Sequence, residues 1–197
     1  MKMRKLMLLV LLLLFSLTVA VAEEPLVYNN ETYGLAFELP DGWKDILTET
    51  DVTLFTGPED SLSSLAVGTT GIKVDEAFAA AFDAAIVETW ILDGMFPDFV
   101  LTDVMQYMFE SAVIEDGRLY AYNLCGIVAE GFPEDFVMLC LQYFFTDADG
   151  VLGSVTLVTP AGDASFPILE WFDIVVIENI PMEAWDALFA KLDLPLE

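Results

Sequence analysis

Apolar positions along the chain fall into three patterns. Strict alternation runs from Tyr33 to Leu39. Tyr33, Leu35, Phe37 and Leu39 share one face, and Gly34, Ala36 and Glu38 share the other. Period two predicts a strand with one buried face. Near-continuous apolar runs occupy Arg118–Thr146, where segments rich in Tyr, Leu, Val, Cys and Phe flank a Glu-Gly-Phe-Pro-Glu-Asp break. This predicts a long β-hairpin at the centre of a sheet. Folded about its midpoint, with Gly131 opposite Glu134, the hairpin sets Cys125 across from Cys140. The third pattern is helical. Val74, Phe78, Ala81, Phe82, Ala85, Ile86, Thr89 and Trp90 recur at steps of mainly three and four. They predict one helix over Asp75–Leu92, with Asp75 as N-cap and Gly94 and Pro97 beyond its end.

Shorter segments complete the outline. Leu26–Tyr28, Asp51–Thr56, Ser64–Thr69 and Val151–Thr159 read as strands separated by Gly, Pro, Asn and Asp turns. Ala112–Glu115 turns through Asp116-Gly117 into the long hairpin. Asp98–Glu110 fits either a strand followed by a helical turn or a helix capped near Thr102, with Met105, Tyr107, Met108 and Phe109 as core residues. Ser165 suits a helix N-cap, with Pro167 in the first turn and Ile168, Leu169, Phe172, Val175 and Val176 facing inward. The β-branched run Ile174–Ile177 pulls the other way, toward strand. Pro181 opens a last helix to about Leu192, with Met182, Trp185, Leu188 and Phe189 on one side. No repeat, linker or low-complexity tract interrupts this order. It predicts a single α+β domain over 23–197, an antiparallel sheet covered by helices.

The first residues stand apart. Lys2, Arg4 and Lys5 precede the apolar run Leu6–Leu14, and Ala20-Val21-Ala22 is followed at once by Glu23-Glu24-Pro25. This is the pattern of a secretory signal peptide over 1–22, cleaved near Ala22. The alternative, a membrane anchor, is disfavoured by the shortness of the run. The expected location is outside the cytoplasm: the medium, a periplasm or a cell wall. Beyond the leader, Lys44, Lys73, Arg118 and Lys191 face all 33 acidic residues, an excess of 29 negative charges. Such a field repels nucleic acid and anionic membrane surfaces and attracts basic proteins and metal cations. Its simplest use is to keep a very apolar domain in solution.

The string TYGLAFELPDGW resembles the opening motif of the PsbP-like superfamily, which includes DcrB-like envelope proteins. The matching positions are Tyr33, Gly34, Phe37, Pro40, Gly42 and Trp43. The resemblance implies a PsbP-like α-β-α sandwich and an accessory, assembly or chaperone-like role. It also favours helix over strand for the segment after Ser165. No catalytic residue carries over with it.

Candidate chemistry is sparse. The chain has no His, which excludes His-based triads and His-ligated zinc. It has no Walker-type loop, dinucleotide fingerprint or nucleophile elbow. Asp and Glu are so abundant that a glycosidase-like carboxylate pair carries no signal. We therefore expect no enzymatic activity and no cofactor. Two cysteines in an exported chain suit a single Cys125–Cys140 disulfide, if the pair is a close, non-hydrogen-bonded one. Two small buried thiols are the alternative. Calcium has oxygen ligands in plenty, but Asp147-Ala148-Asp149-Gly150 lacks the later ligands of an EF-hand and fits a hairpin turn better. Glu130, Glu134 and Asp135 form a second acidic loop. The expected function is an exported, non-catalytic binding or assembly module for an unknown protein or apolar ligand. The alternatives are a carrier or chaperone for an apolar ligand or segment, using the Phe and Met of Phe96–Phe109, and a calcium-dependent surface protein. Trp43, Trp90, Trp171 and Trp185 read as packing residues.

Overall fold

A computed structural model describes residues 25–49, 51–59, 61–92, 100–131, 133, 136–162 and 165–189. The leader assigned to 1–22, together with Phe96, Glu134 and Asp135, lies outside the described residues. The protein is α+β, with a large antiparallel sheet and a few helices. Strands β1 (Val27–Asn30) and β2 (Leu35–Glu38) form a separate hairpin. Strands β3 (Lys44–Thr48), β4 (Val52–Thr56), β5 (Ser64–Lys73), β6 (Leu101–Val113), β7 (Leu119–Ala129), β8 (Met138–Thr146) and β9 (Val151–Pro160) form the main sheet. Their spatial order is β3-β4-β5-β9-β8-β7-β6.

The long hairpin forms as the pattern predicts. β7 pairs with β8 in the register that places Cys125 opposite Cys140. These strands are largely apolar because both faces of the sheet are covered. Even-numbered residues of β7 and odd-numbered residues of β8 face one core cluster, and their neighbours face the other. The first cluster joins Tyr120, Tyr122, Leu141, Tyr143 and Phe145 to the β1–β2 hairpin and to helices α3 (Phe166–Asn179) and α4 (Met182–Phe189). The second joins Leu119, Ala121, Cys125, Cys140 and Phe144 to helices α1 (Glu76–Ala81) and α2 (Ala84–Trp90). These two helices belong to the crossover from β5 to the far edge strand β6.

Three expectations are corrected, and one unassigned segment proves to be a strand. The helix expected over Asp75–Leu92 is two helices. Asp75 caps α1 by accepting from Phe78 N, but Asp83 then caps α2 by accepting from Ile86 N. Phe82 between them is extended and buried, with its ring 5.3 Å from that of Phe144 and 5.8 Å from that of Phe109. Burial of this aromatic outweighs continuity of the helix. The ambiguous segment is strand from Leu101, and Ala112–Val113 is its end rather than a separate strand. Bulges at Leu101/Asp103 and Gln106/Met108 hide its period. Lys44–Thr48, after Trp43, is an edge strand with every residue exposed, so it carries no apolar periodicity. Ser165 precedes α3 without capping it, because its hydroxyl turns back to donate to Gly162 O. The segment Ile174–Ile177 is helical despite its β-branched run.

Ion pairing contributes little. Among the described residues the one salt bridge is Arg118–Asp116, at 2.6 Å. Self-repulsion of the acidic surface is then relieved mainly by counterions. Raising sodium chloride from about 10 mM to about 500 mM should stabilise the chain by about 1 kcal/mol, or roughly 2–4 °C in Tm. A melting temperature that stays flat or falls with salt would show that this charge does not strain the fold.

Candidate functional site

The motif residues Pro40 and Trp43 lie in the wall of a surface cleft of about 310 Å³. Three segments far apart in sequence build it. The turn after β2 supplies Pro40, Asp41 and Trp43; the loop between β4 and β5 supplies Pro58, Ser61 and Ser63; the first turns of α3 supply Pro167, Ile168 and Trp171. Gly42 makes the first segment possible. It adopts φ +84°, and a Cβ there would meet Pro58 Cγ at 3.2 Å. The backbone of Trp43 then donates to Pro40 O at 3.3 Å. The remaining motif residues support the wall from behind. Gly34 turns the chain into β2 at φ +67°, and Tyr33 packs its ring against Phe145. Phe37 is buried and meets the Trp171 ring edge-on at 5.9 Å.

Both tryptophans are held in place. Trp43 is 7% exposed, and its ring lies 6.0 Å from that of Trp171. Trp171 Nε1 donates to Glu38 O at 2.9 Å. The opposite wall is equally built. Ser61 Oγ donates to Pro58 O, Gly57 N donates to Ser63 O, and the Ser63 and Thr159 hydroxyls share a buried hydrogen bond at 2.9 Å. Leu62, between two cleft residues, takes φ +52° and is 63% exposed. A bulky apolar side chain in the left-handed region, turned to water, is a costly arrangement of the kind that gathers at functional sites. Phe166, beside Pro167, is 60% exposed. No described residue lining the cleft is basic, and Asp41 is acidic and exposed. Exposed Glu38, Glu59 and Glu170 adjoin the lining segments in sequence. The result is a rigid aromatic and proline surface with a negative rim.

The other candidates resolve differently. Cys125 and Cys140 are opposed and fully buried, and in this structure their sulfurs are not joined. Asp147 spends its carboxylate on its own turn: Oδ1 accepts from Asp149 N at 2.9 Å and Val151 N at 2.8 Å. Among the described residues no cluster of three or more His, Cys, Asp or Glu could hold a metal ion. Glu130 is exposed, and its partners in the acidic loop lie outside the described residues. Of the apolar segment offered for a carrier, Phe109 is packed into the second cluster, whereas Tyr107 is 54% exposed. Among the described residues no helix is long and apolar enough to cross a membrane.

The sequence pattern does not disclose a buried polar row on the second face. Gln106 Nε2 donates to Asn123 Oδ1 at 2.7 Å, and Asn123 Nδ2 donates to Gln142 Oε1 at 2.9 Å. Asn123 and Gln142 are both fully buried. On the other face Tyr122 donates its hydroxyl to Asp173 Oδ1 at 3.0 Å. Desolvation raises the Asp173 pKa, with the Tyr122 bond opposing it. A carboxyl group raised on folding stabilises fully below its unfolded value, near 3.8, and loses that contribution as pH climbs through the folded value. Asp173→Asn keeps an acceptor without the charge. It should therefore match or exceed the parent's stability at pH 7 and lose that advantage as pH falls toward 3.8. A variant less stable at pH 7 would show that the charged carboxylate is the favoured form.

The cleft and its frame define a class: an α+β protein on a large antiparallel sheet with a surface cleft. No protein-family model and no curated protein sequence matches the chain. Several solved structures are similar in architecture, three of which follow. The protein of unknown function PA94 from Pseudomonas aeruginosa is 14% identical, over 80% of this chain and 96% of that one, with a TM-score of 0.45. The Ran-binding protein Mog1p from Saccharomyces cerevisiae is 9% identical, over 83% and 95%, with a TM-score of 0.46. A mutant of Mog1 is 10% identical, over 82% and 94%, with a TM-score of 0.45. At these values the likeness is one of general architecture.

Proposed function

We propose that the chain is an exported, non-catalytic binding or assembly module of PsbP-like α-β-α sandwich type. It holds an extended, basic, proline-containing segment of a partner protein in the Trp43–Trp171 cleft. The observation that carries this is the cleft itself. Grooves walled by aromatic side chains accept extended proline-rich segments, whose backbone is already ordered before binding. Guanidinium groups stack on Trp and pair with carboxylates, which matches Trp171 and the acidic rim. The excess of negative charge steers the same partner from a distance. The leader pattern supports an extracytoplasmic location, and the lack of His supports a non-catalytic role.

A short Arg-Pro repeat peptide is the probe, with a Glu-Pro repeat of equal length as control. Calorimetric titration should show binding of the first alone, weakened by salt. Asp41→Lys, at an exposed position, should weaken it several-fold while leaving the melting temperature unchanged. Equal binding of both peptides, or of neither, would overturn the proposal.

A further inference from the structure

We infer that Cys125 and Cys140 close a disulfide as the chain folds, a covalent staple across the two central strands that is sealed afterwards. The two residues are direct register partners on β7 and β8. Each thiol is the strongest influence on the other's ionisation, as expected of side chains facing each other across the ladder. Both are fully buried, in a cluster with Ala79, Phe82, Val87 and Ile91 of the crossover. Glu88 of α2 lies near enough to Cys125 to act on its charge.

During folding the thiolate of one cysteine attacks the disulfide of a thiol–disulfide oxidant, releasing one thiol of that oxidant. The other cysteine then loses its proton, attacks the mixed disulfide at the first cysteine's sulfur and expels the second thiol. The new S–S bond costs the chain two protons and two electrons, and the oxidant leaves as its dithiol form. An oxidant cannot reach sulfurs with no exposed surface, so the exchange belongs to folding, before α1 and α2 cover this face. For the same reason the finished bond is inaccessible to reductants.

The test refolds the reduced full chain with oxidised glutathione and counts thiols by alkylation in denaturant. No alkylatable thiol is expected after refolding, and a higher denaturant midpoint than for the reduced chain. Dithiothreitol should restore both thiols in denaturant and neither under native conditions. The Cys125→Ala/Cys140→Ala variant should show the midpoint of the reduced chain whether or not oxidant is present. Two free thiols after oxidative refolding would overturn the staple. Ready reduction of the native protein would overturn its sealing.

Discussion

Trp43→Ala is expected to lower the unfolding free energy by roughly 3–5 kcal/mol, the range for deleting a large buried aromatic. Trp43 is 7% exposed and touches Trp171, which itself packs against Phe37. It sits where the turn after β2 enters the main sheet, one residue before Lys44 pairs with Thr56. Its loss therefore opens a cavity between the β1–β2 hairpin, α3 and the sheet edge, and removes one wall of the cleft. Urea unfolding, with the slope held constant, measures the cost. A loss under about 1 kcal/mol would mean that the neighbours collapse onto the site and that Trp43 is dispensable to the core.

Asn123→Leu is the second large effect, about 2–4 kcal/mol. The substitution keeps the branched shape and removes three side-chain hydrogen bonds from the second face, those to Gln106, Cys125 and Gln142. Gln106 is exposed at the sheet edge and can turn to water. Gln142 is fully buried, so its amide loses the Asn123 bond without gaining water in exchange. Replacing both members of a buried pair by apolar groups costs less than orphaning one. Asn123→Leu/Gln142→Leu should accordingly be more stable than the sum of the two single variants. Strict additivity would show that the two amides do not depend on each other.

Much of the frame is legible in the sequence, for a physical reason. Where the sheet is covered on both faces, β7 and β8 are largely apolar, and the break between them sets the register that opposes Cys125 to Cys140. Asp75 is legible as a cap because an Asp before an apolar stripe satisfies a free backbone N–H. Asp83 is hidden because Ala, Phe and Ile continue the same stripe on both sides of it. The break depends on where Phe82 finds room, which is a tertiary fact. β3 is invisible because an exposed edge strand needs no alternation. In α3, packing of Phe172, Val175 and Val176 overrides the strand preference of Ile174–Ile177. The cleft is the least legible feature. Pro40 and Trp43 stand out as a motif, but Pro58, Pro167 and Trp171 join them only through the fold.

The most direct test follows the four tryptophan indole N–H signals in a ¹⁵N spectrum while the Arg-Pro peptide is added. The signals of Trp43 and Trp171 should shift together and saturate, and those of Trp90 and Trp185 should stay. Shifts centred on Trp90 or Trp185, or no shift at all, would contradict a binding module built on the Trp43–Trp171 cleft.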